Sequence, residues 1–221
     1  MAQDRRGGVI LLHGLGRSGG SMHWLGRALA KQGYAVHVPN YSGRRRSLDV
    51  VIGDLEPGIA AFAKSVEGPV HFVTHSLGGL VVRAFLCRHK PDNLGRVVML
   101  APPNSGSEWA DILVKARLDR PFLGHMGEHL VTGRSPKAEA LLGHPDYPVG
   151  IIAGNRAVDP IFPRLLMPRP NDGKVTVNAT RLAGATDHIT LPVTHTFMVL
   201  NARVHTQVHL FLSQGRFNHI D

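Results

Sequence analysis

The stretch that most constrains this chain runs from Val70 to Leu80 and reads Val-His-Phe-Val-Thr-His-Ser-Leu-Gly-Gly-Leu. Val70 to Thr74 is a short β-branched and aromatic run, the pattern of a buried strand. From Leu80 to Leu86 the chain is apolar-rich and suits a helix packed under a sheet. Ser76 lies between the two, with Gly78 and Gly79 close behind it. A strand that becomes a helix within two or three residues forces its hinge into a strained backbone conformation and needs small neighbours where the arms pass. The hinge side chain then stands alone above the carboxyl end of the sheet, with a helix N-terminus behind it. Such an elbow is written G-x-S-x-G, and here Thr74 replaces the first glycine with a β-branched side chain. The competing reading of Ser76 is an ordinary helix N-cap after a buried strand.

The flanking pattern favours the elbow. Val9 to Leu12 is a buried-strand run, followed by His13-Gly14-Leu15-Gly16-Arg17-Ser18-Gly19-Gly20. Glycines at these offsets let backbone N–H groups converge on one point, as anion cradles do. Neither of the phosphate-loop patterns, G-x-x-x-x-G-K-[ST] or G-x-G-x-x-G, is present. A helix is predicted from Met22 to Gln32 and stopped by Gly33, then a strand from Tyr34 to Val38. A second helix is predicted from Val50 to Val66, with a proline near its start, and another strand from Arg96 to Leu100. Val149 to Ala153 and His188 to Leu191 are predicted strands, with a short helix-like piece between them. Phe197 to Leu212 is predicted as one closing helix ended by Gly215. Alternating strands and helices with short connections mean a mostly parallel sheet, right-handed crossovers and a site at the strands' carboxyl ends. Asn104 to Tyr147 breaks that rhythm, and about forty residues exceed the ~12–15 of an ordinary loop, so this segment is expected to be a cap.

A chain of 221 residues with 43% hydrophobic residues supports one globular α/β domain, taken here as residues 1–221. No run approaches the ~20 apolar residues of a membrane span. The N-terminus leads directly into a strand-like run with no secretory h-region, and the single cysteine, Cys87, cannot form an internal disulfide. Cys87 is expected to be a small buried hydrophobe. A reducing cytoplasm fits both observations. The formal net charge is +9, yet Arg44-Arg45-Arg46 is the only dense basic run and no aromatics interleave it. It is read as a solvated loop, and no nucleic-acid partner is expected.

Acyl transfer by a serine needs a base to take its proton, an acid to hold that base and donors for the oxyanion. Ser76, Asp172 and His195 occur in the chain order Ser, acid, His that a strand–elbow–helix sheet of this kind uses. The oxyanion donors would be the backbone N–H groups of Leu15 and Leu77. Among fourteen histidines, His75 adjoins the serine but alternation along a strand turns it to the opposite face. His188, beside Asp187, is read as structural. His205 and His209, at i and i+4 on the closing helix, lack further ligands at metal spacing. Asp159 is the rival for the acid. Pro160 biases it to an extended conformation, whereas Gly173 frees the backbone after Asp172 to turn the carboxylate inward.

These residues resemble the bacterial serine lipases and esterases of the α/β-hydrolase family in their minimal form. His13-Gly14-Leu15-Gly16 is similar to their oxyanion loop, Thr74-His75-Ser76-Leu77-Gly78-Gly79 to their elbow, Asn171-Asp172-Gly173-Lys174-Val175 to their aspartate loop, and His195 to their histidine. The resemblance runs from about Val9 to Phe217. It implies a three-layer α/β-hydrolase fold without the early antiparallel strands of larger members, and cofactor- and metal-free hydrolysis of a small-molecule or lipid ester. Thioester, amide and acyl-transfer chemistries use the same triad, and a binding protein on the same fold is the alternative from another class.

Overall fold

The computed structural model describes residues 6–157 and 167–219. Strands β1 (Gly8–Leu12), β2 (Ala35–His37), β3 (Val70–His75), β4 (Leu94–Leu100), β5 (Val149–Gly154) and β6 (Asp187–Leu191) form one sheet in the order β2-β1-β3-β4-β5-β6. Every pairing is parallel. Parallel sheets are covered on both faces, and the strand sequences show it: Val9 to Leu12 are all fully buried. Successive side chains then serve opposite layers. Ile10, Phe72, Val97 and Ile151 meet helices α2 (Leu48–Ser65) and α3 (Leu77–Arg88). Leu11, Val73, Val98 and Ile152 meet α1 (His23–Lys31) and the closing helix, designated α8 (Ala202–Gln214). This is the three-layer arrangement expected.

Between β4 and β5 run four short helices, α4 (Glu108–Lys115), α5 (Asp119–Leu123), α6 (Gly127–Leu130) and α7 (Pro136–Ala140). Ser107 and Ser135 cap α4 and α7 by accepting from Ala110 and Ala138 N–H. Leu113, Leu123, Leu130 and Leu142 pack into the same core as α2 and α3. Arg83 of α3 anchors the segment, donating to the Gly143 carbonyl at 2.8 Å and to Asn104 Oδ1 at 3.2 Å.

Four expectations need correction. The proline of α2, Pro57, lies mid-helix and not near its start. Its ring removes one N–H, and the carbonyl four residues back belongs to exposed Gly53, where water can take the freed acceptor. The apolar run from Phe197 to Leu212 is not one helix. A single 3₁₀ turn at Met198–Leu200 ends where Asn201 becomes extended (ψ 126°) and caps α8 through Oδ1, accepting from the Arg203 and Val204 N–H groups. The piece after Val175 is a turn closed by Thr180 N–H on the Thr176 carbonyl, at 3.2 Å. Cys87 is exposed, because the all-round burial of α3 ends at Leu86.

Candidate active site

Ser76 has φ 54° and ψ −121°, between the last residue of β3 and the first of α3. The strain is made possible next door. A Cβ on Gly78 would lie 2.5 Å from the Leu12 carbonyl, and one on Gly79 would lie 2.7 Å from Pro102 Cβ. The start of α3 therefore passes against the ends of β1 and β4 only because both residues are glycine. Thr74, in place of the usual glycine, is fully buried, and its Oγ1 lies 3.6 Å from where a Gly79 Cβ would be. That separation is an ordinary contact, so the β-branch fits beside Gly79 without crowding it. As an N-cap, Ser76 would offer Oγ to the backbone of α3, but no such bond forms. Instead Oγ lies 2.9 Å from His195 Nε2.

His195 follows β6, and Asp172 lies on the loop between β5 and β6. Asp172 Oδ2 accepts from His195 Nδ1 at 2.7 Å, while Oδ1 accepts from the N–H groups of Lys174 at 3.0 Å and Val175 at 2.8 Å. The main chains are tied as well, His195 N–H donating to the Asp172 carbonyl at 3.0 Å. Gly173 sits at φ 100°, the left-handed conformation this Asx turn needs, and Asn171 Oδ1 accepts its N–H at 3.0 Å. Asp172 is 1% exposed. Asp159, its rival, lies outside the described residues.

Proton placement follows from the partners. Donation from His195 Nδ1 to a carboxylate leaves Nε2 as the acceptor facing Ser76 Oγ. His75 lines the same pocket but makes no hydrogen bond to Ser76 Oγ; it donates Nε2–H to the His195 carbonyl at 2.9 Å. Burial, and then the neighbouring His195, hold its pKa well below the histidine value, so it stays neutral. His13 donates Nδ1–H to the Gly14 carbonyl at 2.9 Å and stacks on Tyr41 at 4.2 Å. Burial lowers its pKa too. His188 meets Thr180 Oγ1 at 2.9 Å, and His205 meets the Val199 carbonyl at 2.8 Å. Among the described residues no group of three His, Cys, Asp or Glu side chains could hold a metal ion.

A pocket of about 320 Å³ opens above Ser76. Leu15 lies on its rim from the loop after β1, and Gly14 fits against the elbow, where a Cβ would stand 3.3 Å from Ser76 Cβ. Leu77, the first residue of α3, is fully buried. Of the larger apolar side chains in the 104–147 segment, Trp109, Phe122 and Leu123 line the pocket. Ile112 and Leu113 do not, and Ala110 and Leu130 take their place. Sequence reasoning missed two features. Lys174 reaches over the Trp109 ring at 5.2 Å, and its burial, with Arg17 nearby, lowers its pKa. Gly154 ends β5 where a Cβ would lie 2.5 Å from the Val193 carbonyl and 2.9 Å from Asp172 Cβ, so its bareness lets the acid and histidine loops close together. The only sequence signal for Gly154 was a glycine at a strand's carboxyl end.

The fold has counterparts among solved structures. Bacillus licheniformis lipase BlEst2 in its mature form superposes with a TM-score of 0.72 at 19% identity, over 94% of this chain and 91% of that one. The metagenomic carboxyl esterase MGS0156 gives 0.67 at 18%, over 88% and 65%. Legionella pneumophila phospholipase PlaB gives 0.59 at 21%, over 79% and 45%, so this chain spans less than half of that protein. No curated protein matches the sequence. A family model described as the alpha/beta hydrolase family matches residues 9–212. That span runs from β1 into α8 and contains Ser76, Asp172 and His195, and the chain belongs to the alpha/beta hydrolase family.

Proposed function

We propose that the protein is a serine hydrolase that cleaves carboxylic esters through an acyl-enzyme, with Ser76 as nucleophile, His195 as general base and Asp172 as the acid that orients it. The observation that carries this reading is the His195 imidazole bridging Ser76 Oγ at 2.9 Å and Asp172 Oδ2 at 2.7 Å. His195 Nε2 takes the serine proton as Oγ adds to the ester carbonyl. The oxyanion is received by the N–H groups of Leu15 and Leu77. His195 then passes the proton to the leaving alcohol, and water repeats the sequence in reverse to release the acid. Asp172 stabilises the imidazolium, with its second oxygen held by two backbone N–H groups. In this reading residues 104–147 are a cap, and the acyl chain lies under Trp109, Phe122 and Leu130.

A cytoplasmic location is part of the proposal, on the strength of the single cysteine. Among the described residues no helix is long and apolar enough to cross a membrane. An active-site-directed fluorophosphonate is the direct test. It should add one phosphonyl group at Ser76 and abolish turnover of a p-nitrophenyl ester, and an unlabelled serine in folded, esterase-free protein would refute the assignment.

A further inference from the structure

A second hollow, of about 350 Å³, opens beside the reacting pocket and shares Gly16, Arg17 and Arg44 with it. Its walls add Arg45 and Arg120, so four arginines line one space, and among the described residues no carboxylate lines either hollow. Among the described residues none of the four forms an ion pair, although Arg46, next in the chain, pairs with Asp54 at 3.1 Å. Guanidiniums gathered without carboxylates between them repel one another, and such a cluster is relieved by an anion.

The hollow is also built in place. Tyr41 stacks on His13 and donates its hydroxyl to the His13 carbonyl, fixing the arginine loop to the loop after β1. Arg44 donates to the Pro121 carbonyl, and His125 N–H donates to the Arg44 carbonyl at 3.2 Å, fixing the same loop to the cap. Gly124, at φ 60°, has no room for a Cβ beside that carbonyl.

We infer that this hollow is an anion subsite and that the substrate is an acyl ester whose alcohol carries a phosphate, an assignment resting on the serine-esterase reading of Ser76. An ester has two limbs leading from its carbonyl carbon. The apolar limb of the pocket, under Trp109, Phe122 and Leu130, takes hydrocarbon, which leaves the alcohol limb to run past Gly16 toward the arginines. Guanidinium forks match phosphate oxygens in geometry as well as charge. Water is the co-reactant. The acyl C–O bond breaks, the products are a carboxylic acid and the phosphorylated alcohol, and the P–O bonds are untouched.

The test compares butyrylglycerol with butyrylglycerol phosphate, both soluble, and measures binding of glycerol phosphate and of inorganic phosphate by calorimetry. Charge-assisted contacts at exposed groups should favour the phosphorylated ester in kcat/KM by about tenfold at low salt, with the ratio falling as salt rises. Arg45→Gln with Arg120→Gln should lower that ratio at least about fivefold and weaken glycerol phosphate binding in parallel. A ratio near one in the wild type would overturn the inference while leaving the esterase reading standing. Salt-sensitive binding of glycerol phosphate without hydrolysis of either ester would support the subsite and overturn the esterase reading. Inorganic phosphate bound as tightly as glycerol phosphate would assign the arginines to free anion. A preference appearing only when neutral ester is presented on phosphatidylglycerol vesicles would assign them to a membrane surface. Either of these last two results overturns the substrate assignment.

Discussion

One wall of the reacting pocket is made by loops that leave β3, β5 and β6, and the opposite wall by the short helices α4, α5 and α6. On the sheet side Ser76 leaves a strand paired on both edges, and Asp172 and His195 are joined by a main-chain bond at 3.0 Å as well as through their side chains. On the helical side the pieces are eight, five and four residues long, and Phe122 remains 50% exposed while lining the cavity. Helices that short have little stability of their own and hold position through their tertiary contacts. The difference separates two demands. Proton transfer requires placement to a fraction of an ångström, whereas enclosing a hydrocarbon chain requires only apolar contact. Substitutions on the sheet wall should therefore change rate, and those on the helical wall should change preference.

The largest effect tests the first half of that contrast. Ser76→Ala should lower kcat on a p-nitrophenyl ester by roughly 10⁶ with an unchanged circular dichroism spectrum. Activity above a few per cent in pure protein would break it. Asp172→Asn should cost about 10⁴, since the amide presents the wrong partner to His195 Nδ1. Ordinary turnover in that folded variant would move the acid to another residue, and Asp159→Asn is the companion measurement. Gly154→Ala touches no substrate, yet its Cβ would collide with the Val193 carbonyl and press on Asp172. It should lower kcat about 10²-fold with KM nearly constant.

Phe122→Ala probes the helical wall, where a several-fold shift in preference between octanoate and acetate esters is expected with little change on acetate. An unchanged profile would show that α5 does not shape selectivity. The smallest effect is on stability. Burial, aided by Arg96, lowers the His71 pKa from 6.5 to about 4, and its Nδ1 accepts the Arg96 N–H at 2.8 Å. The unfolded chain binds the proton first, so stability is complete above about pH 6.5 and falls as pH drops toward 4. His71→Gln should flatten the urea midpoint between pH 7 and 4.5 relative to the parent.

What the sequence disclosed divides along the same line. The sheet wall was legible because its signals are local: a β-branched run, a serine and two glycines in sequence describe an elbow, and Asp172-Gly173 describes a turn. The order of Ser76, Asp172 and His195 added the long-range part. What stayed hidden depends on contacts between distant segments. Gly154 matters through Val193 and Asp172, and Gly79 through Pro102, neither of which periodicity can reveal. The arginine run is solvent-exposed, as its composition suggested, but a basic loop gives no sign that Arg44 meets the Pro121 carbonyl. The break at Asn201 was masked by apolar residues on both sides, where a good capping residue overrode a continuous pattern.

The position of residues 101–148 in the chain has an architectural consequence. Parallel neighbours cannot be joined by a tight turn, because the chain must travel back the full length of the sheet, roughly 20 Å for six or seven residues, before it can enter again. Residues 101–148 are that return path between β4 and β5, and no other helix makes the journey. Leu113, Leu123, Leu130 and Leu142 roof part of the core on the way. The segment is thus structural in its own right: excising it would sever the sheet's connectivity. Grafting a return path of different length and lining between Leu100 and Val149 is the operation this topology permits, and it makes the 101–148 interval the place where one scaffold can acquire different tastes.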